Sequence, residues 1–277
     1  MEPRVGRTFP MQTLFLGTGT SYGIPMVGCD CAVCRSDDPR DRRLRTSTLI
    51  RHEGTTVLLD TPPDFRQQCL RHGLRALDAV FISHVHADHV FGFDDLRPLT
   101  LRRDSPLPVY ATAGTAVELR RIFNYLSIPP LPGTSLAKVQ LHVVEATVRV
   151  GSLLATPLPV QHSRVPMDGW KFQPADPATG AALPSAPSAC IITDCKAIPP
   201  ATMALCRGTD LLVVDALRDR PHPTHMNVEE ALAAIAAIAP RQAFLTHLCH
   251  ELAHAPLLRR LPPNVSVAYD GLAVDLG

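Results

Sequence analysis

Along the chain, short apolar runs alternate with polar, proline- or glycine-containing breaks, and several runs stop on a histidine or an aspartate. Runs of this kind predict strands, and they fall at 11–16, 46–50, 56–59, 79–82, 108–111, 139–150, 153–160, 169–172, 188–193, 211–214, 242–246, 265–269 and 272–274. The pair 46–50 and 56–59 reads as a hairpin turning at Glu53-Gly54. The pair 139–150 and 153–160 reads as antiparallel strands around Gly151, and 265–274 as a closing hairpin about Asp270-Gly271. Helical spacing appears at 64–72, with Gly73 placed to end it, and at 114–126, with Val117, Ile122, Phe123 and Leu126 on the apolar side. A third helix, 228–238, is alanine-rich; Asn227 reads as its cap, with Glu229 and Glu230 at the positive end of its dipole. Asp94-Asp95-Leu96-Arg97-Pro98 reads as a short helix start, with Asp94 as a cap rather than a ligand. The polar stretch 1–10 predicts a flexible N-terminal tail, leaving 11–277 as a single domain.

The densest chemistry lies where the run 79–82 ends, in Ser83-His84-Val85-His86-Ala87-Asp88-His89. A tight turn cannot bury three imidazoles and a carboxylate without partners, because each desolvated polar group is costly. Imidazole with carboxylate suits borderline divalent metals such as zinc, manganese or iron. His84 and His86, two apart on extended chain, point the same way; Asp88 and His89, after the chain turns, address a second point nearby. That spacing predicts two metals side by side. Other strand ends add candidates. His162 follows 153–160 and, beside half a metal site, is the natural third imidazole. Asp194 follows 188–193, where an ionised carboxylate can bridge two cations, and His247 follows 242–246. Asp215 ends 211–214 and ranks behind Asp194, as a group that organises its loop. Asp60 ends 56–59 and reads equally as a turn residue or as an orienting partner of the ligands.

Composition narrows the class. With 45% hydrophobic and 19% charged residues the chain can bury a sizeable core, and a net charge of +1 makes no electrostatic case for a nucleic-acid or membrane partner. No apolar run reaches membrane-spanning length and the first residues lack a signal-peptide core, so the expected location is cytoplasmic. Eight cysteines then argue for metal ligation or free thiols. Cys29, Cys31 and Cys34 lie within six residues, a clamp for a structural metal that still lacks a fourth ligand. The remaining cysteines read as small buried or loop thiols. The glycine-rich Gly17-Thr18-Gly19-Thr20-Ser21 lacks the Lys-Ser/Thr of a phosphate loop and reads as a tight turn. Residues 37–45 read as a charged, solvated loop, and the proline- and alanine-rich 173–187 as a mobile loop able to cover a substrate.

The pattern His84-x-His86-x-Asp88-His89 at a strand end resembles the signature of the metallo-β-lactamase superfamily, and the order of elements resembles that fold from Met11 to Gly277. The resemblance implies an α/β class: a four-layer αβ/βα sandwich of two mixed sheets with helices on the outer faces. It implies His84, His86 and His162 on one metal, Asp88, His89 and His247 on the other, and Asp194 bridging. Within the superfamily the chain resembles the PhnP-type phosphodiesterases of phosphonate metabolism. Cys29-x-Cys31-x-x-Cys34, the run His89-Val90-Phe91-Gly92-Phe93-Asp94-Asp95, His222-Pro223-Thr224-His225 and His247-Leu248-Cys249-His250 carry that likeness. It implies a structural zinc on Cys29, Cys31, Cys34 and His250. It further implies that His225, more than His222, meets the substrate phosphate or protonates the leaving group, making His225 and Asp88 the catalytic residues.

The expected activity is hydrolysis of cyclic phosphodiesters of the phosphoribosyl 1,2-cyclic type. Its attacking group is a hydroxide bridging two zinc or manganese ions, which lower the pKa of water to about 7. The expected partner is a small phosphodiester; oligomeric state stays open, a homodimer included. The alternatives are a thioesterase or tRNA 3′-processing nuclease on the same fold, or a metal-bound accessory protein without turnover.

Overall fold

Apolar residues occupy both parities of the central strands, and their side chains leave the backbone on alternate sides, so each sheet must be covered on both faces. In this computed structural model, which describes residues 10–129, 131–183 and 185–277, that requirement organises the molecule. The strands are Met11–Gly17 (β1), Ser47–His52 (β2), Thr55–Leu59 (β3), Ala79–Phe81 (β4), Leu107–Ala111 (β5), Val139–Val143 (β6), Val148–Val150 (β7), Leu153–Pro159 (β8), Asp168–Pro174 (β9), Ala189–Ile192 (β10), Leu211–Asp215 (β11), Gln242–Thr246 (β12), Val265–Val267 (β13) and Ala273–Leu276 (β14). They form two seven-stranded mixed sheets, ordered β14-β1-β2-β3-β4-β5-β6 and β13-β12-β11-β10-β9-β8-β7.

Between the sheets lies a core of Phe15, Ile50, Val57, Leu59, Phe81, Trp170, Phe172, Ile191 and Val213. The alternate residues, Leu14, Leu16, Leu49, Leu58 and Val80, turn outward on the first sheet to meet the helices on that face. On the second sheet, Leu212, Val214 and Leu245 do the same beneath the helix Val228–Ile238. Phe81 anchors the centre, stacked on Tyr110 at 5.0 Å and meeting Trp170 and Phe172 edge-on at 4.8 and 5.3 Å. Burying one such ring contributes about 2–3 kcal/mol.

The hairpin β2–β3 turns at Glu53 and Gly54, both with positive φ. The helix Phe65–His72 ends at Gly73 in the left-handed region. Asn227 closes a capping box with Glu230 at the start of Val228–Ile238. Elsewhere the chain departs from expectation. The run 139–150 is two strands: β6 pairs in parallel with β5, and β7 pairs antiparallel with β8 in the other sheet. The expected closing hairpin is likewise a crossing, since β13 pairs with β12 and β14 with β1.

The helix Ala113–Ile122 buries Thr115, Ala116 and Leu119, whereas Val117 is 59% exposed. Asp94 caps nothing; it sits inside a short 3-10 turn and accepts from the Tyr125 hydroxyl at 3.2 Å. Asp41 and Arg43, expected in a solvated loop, are buried. The N-terminal tail, apart from Pro10, lies outside the described residues. No helix among the described residues is long and apolar enough to cross a membrane.

Candidate metal centre

The strands deliver the ligating residues to one end of the sandwich. Strand β4 runs out through Ile82 and Ser83 to His84, and the chain stays extended to His86 (φ −63°, ψ 149°) before turning into the one-turn helix Ala87–Val90. That turn separates the four groups into two sets. Ligating atoms of His84, His86 and His162 lie within 4.8 Å of one another, as do those of Asp88, His89, Asp194 and His247. Asp194 joins them: its two oxygens reach His89 Nε2 (3.0 Å) and His247 Nε2 (3.2 Å), and it also lies within the same 4.8 Å limit of His162 and His225.

Backing hydrogen bonds decide which nitrogen faces inward in four of the imidazoles, His84, His89, His162 and His247. Asp60, wholly buried, accepts from Ser83 N (2.8 Å), Ser83 Oγ (2.7 Å) and His89 Nδ1 (2.7 Å). With its proton given to Asp60, Ser83 Oγ accepts from His84 Nδ1 at 3.0 Å. His162 Nδ1 donates to the Thr224 carbonyl (2.9 Å). His247 Nδ1 donates to Thr46 Oγ1 (3.2 Å), whose own proton goes to the Gly19 carbonyl (2.9 Å). Each bond fixes the proton on Nδ1 and leaves Nε2 as an inward lone pair, the arrangement metal-bound histidines need.

The residues therefore fit divalent cations. His84 Nε2 and His86 Nδ1 face each other at 3.0 Å and His162 Nε2 and His86 Nδ1 at 3.3 Å, so lone pairs converge on one point. His89 Nε2 and Asp194 Oδ2 are buried without a hydrogen bond. Burial opposes charge on Asp194, yet His247 and His89 hold its carboxyl well below the usual range, so a carboxylate is available. Burial keeps His84 neutral and pushes His247 down to about 4. His247 adopts φ +57° and Asp60 φ +65°, a left-handed backbone that places both side chains at abrupt strand ends.

Beside this cluster stands a second pair. His225 Nδ1 donates to Asp215 Oδ2 at 2.8 Å, and the same oxygen accepts from Cys195 N at 2.9 Å. Burial lowers the His225 pKa, but the Asp215 hydrogen bond and the charges of Asp215, Asp194 and Asp88 together outweigh it and the net shift is upward; burial also lifts Asp215 to about 7. The pair thus retains a proton near neutral pH. The His225 ring stacks on His247 at 5.0 Å, and His222 lies 5.0 Å from His225 with its ring tilted by 53°.

A separate cluster gathers Cys29, Cys31, Cys34 and His250. His250 Nδ1 is 3.3 Å from Cys29 Sγ and 3.4 Å from Cys31 Sγ. The Cys34 amide and His250 together lower the Cys31 thiol to about 6, which favours the thiolate a soft cation binds.

Residues 55–248 match a family model described as a beta-lactamase superfamily domain, about 70% of the chain. The chain belongs to the metallo-β-lactamase superfamily. A superfamily member solved as a new diphosphatase from the PhnP family superposes with a TM-score of 0.85 at 36% identity, covering 96% of this chain and 98% of that one. Zn(2+)-bound PqqB from Methylobacterium extorquens, at 21% identity and a TM-score of 0.72, shares the fold over 96% of this chain and 100% of its own. Among curated relatives, an octanoyltransferase of Porphyromonas gingivalis is 38% identical over 269 residues, 95% of this chain and 51% of that protein. The coenzyme PQQ synthesis protein B of Methylobacterium nodulans is 30% identical over 173 residues, 57% of this chain and 54% of its own. The chain spans about half the length of the curated relatives it matches.

Several supporting groups escaped the sequence reading. Thr20, Thr46 and Ser83 carry no local signal of their role. Arg43 Nη1 reaches Thr18 Oγ1 (2.8 Å) and the Ala268 carbonyl, tying the turn after β1 to the C-terminal segment. The loop 173–187 is misplaced by expectation: β9 runs away from His162, and Ala175 N bonds Ser152 O at the far end of the sheet, so its described residues cannot cover the centre.

Proposed function

We propose that this protein is a metal-dependent hydrolase of phosphodiesters, cyclic phosphodiesters foremost. One observation carries the reading: Asp194, grouped with Asp88, His89 and His247, also lies within 4.8 Å of His162 of the histidine group, with the Asp215–His225 pair directly alongside. His84, His86 and His162 would hold one cation; Asp88, His89 and His247 the other; Asp194 would serve both. Bound there, divalent ions supply a water of lowered pKa and neutralise charge on the phosphoryl oxygens.

The chain's own groups do the rest. Asp60, Ser83, Thr46 and the Thr224 carbonyl keep four imidazoles in a single tautomer, so no reorganisation is needed when substrate arrives. Asp215 orients His225 with its proton on Nδ1, and the protonated ring offers its Nε2 proton to the departing oxygen. An aspartate at 194, where a thiolate would bind a single soft metal, suits this hydrolytic pair. A second reading, cleavage of a diphosphate, is favoured by the likeness to the PhnP-family diphosphatase.

The test is His225→Ala on metal-replete protein with bis(p-nitrophenyl) phosphate and with a diphosphate ester. The expected result is unchanged metal content and a kcat reduced about 10²–10⁴-fold. Full turnover at unchanged metal content removes His225 from the reaction. Wild-type turnover of the diphosphate alone would select the second reading.

A further inference from the structure

Thr20 and His225 both touch His247, the first through a 3.2 Å contact of Thr20 Oγ1 with Nε2 and the second by ring stacking at 5.0 Å. Between them opens a cavity of about 360 Å³ that leads from the centre towards His250. Its lining includes Thr20, Ser21 and Tyr22 together with His222 and His225. Because Thr20 and His225 line this cavity and also flank His247, a group seated here lies directly against the candidate metal centre.

Tyr22 is the unusual wall. The residue is 66% exposed, although the turn that carries it is held firmly. Gly23 N closes the turn on Thr20 O (2.8 Å), Thr20 N bonds Leu248 O (3.1 Å), and Ile24 and Arg43 exchange backbone hydrogen bonds at 2.8 Å. Gly23 takes φ +64°, where a Cβ would come within 3.2 Å of Arg43 O. A large aromatic face displayed on a rigid support meets its partner at little entropic cost, because the ordering is already done by folding. In the same lining, His222 and His225 add two more flat, polarisable rings.

The charged groups that line the cavity, Arg218 and Glu251, are already engaged. Arg218 donates to the carbonyls of Arg220 (3.3 Å) and Pro221 (3.1 Å) and lies 3.6 Å from Glu251, which in turn takes Arg220 at 2.6 Å. A second anionic group would find no free guanidinium here among the described residues. The Ser21 side chain remains for polar ring substituents, and the volume suits a group of nucleoside size.

Resting on the hydrolase reading above, we propose that the cavity beside Tyr22 is the leaving-group subsite and takes an uncharged, flat-ringed group such as a nucleobase or an aryl alcohol. Tyr22 is then a specificity-determining residue that leaves the metal ligands untouched.

The experiment measures, by calorimetry on metal-loaded protein, the affinity of adenosine 5′-monophosphate and of inorganic phosphate for wild type, Tyr22→Phe and Tyr22→Ala. One base–aromatic stack predicts that the nucleotide binds about tenfold more tightly than phosphate in wild type and Tyr22→Phe. The ratio should fall to near one in Tyr22→Ala with phosphate affinity unchanged. A wild-type ratio near one, or an advantage that survives Tyr22→Ala, overturns the proposal. Turnover of bis(p-nitrophenyl) phosphate, recorded on the same samples, reports separately on the hydrolase reading. A preserved ratio without turnover defeats that reading and leaves the subsite standing; turnover without the ratio does the reverse.

Discussion

Asp60→Asn is the sharpest perturbation of the candidate centre, because it changes protons and little else. Asparagine tolerates the φ of +65° at this position, and it matches aspartate in shape. The carboxylate accepts three hydrogen bonds, from Ser83 N, Ser83 Oγ and His89 Nδ1. The amide can keep the Ser83 N bond with its oxygen, but its NH₂ then faces the other two donors. To avoid that clash Ser83 must turn its proton towards His84, and His89 must move its proton from Nδ1 to Nε2. Both imidazoles are then left in the tautomer that cannot ligate.

Removing one outer partner of a metal-bound histidine lowers affinity or activity about 10–100-fold. Disturbing two gives about 10²–10⁴-fold if the effects multiply, or about 3–6 kcal/mol. The cost to folding is that of one unsatisfied buried group, about 1–3 kcal/mol. The assay is competition for zinc or manganese against a chromophoric chelator, with thermal unfolding as the control for folding. Metal affinity within threefold of wild type in a folded Asp60→Asn protein would refute the tautomer argument.

Other outcomes follow from separate parts of the molecule. Cys31→Ser should remove one metal per chain and lower the unfolding temperature while the His/Asp centre keeps its metals; loss of all metal together would tie the two sites into one. Gly92→Ala should destabilise the protein, since a Cβ there would lie 2.0 Å from the Pro62 carbonyl and 2.9 Å from Phe65 Cβ. Overpacking of that kind costs about 1–3 kcal/mol, a fall in Tm of about 2–4 °C per kcal/mol, and an unchanged Tm would contradict the close approach. Burial, then Arg43 and Arg40, push His254 from 6.5 down to about 4. The unfolded chain therefore takes up that proton first, and stability is complete above pH 6.5 and declines as pH falls towards 4. Urea midpoints at pH 7 and pH 5 should differ less in His254→Gln than in wild type; equal differences would exclude His254 as the source.

The parts of the fold and the site that can be read locally share a physical reason. An apolar run ending on His84, His162, Asp194 or His247 is visible because a buried strand must stop before it can present a polar group. Asn227 is legible because capping depends on residues three apart. What cannot be read locally depends on partners far along the chain. Continuous apolar character at 139–150 does not reveal that the chain changes sheets, since both sheets want the same side chains. Asp60 reads equally as a turn residue or an orienting partner, and Arg43 as a loop residue, until Ser83, His89, Thr18 and Ala268 are seen around them. Val117 sits at helical spacing, yet Ala116 and Leu119 take the buried face, because a short helix lets the neighbouring sheet choose its rotation. His250 reaches the cysteine loop across a separation of 221 residues from Cys29, a distance at which spacing says nothing.

Metal stoichiometry measured together with turnover tests the central claim most directly. The account predicts three divalent ions per chain, hydrolysis of bis(p-nitrophenyl) phosphate that disappears when a chelator strips the His/Asp centre, and recovery when zinc or manganese is returned. Turnover that survives complete removal of metal would contradict it.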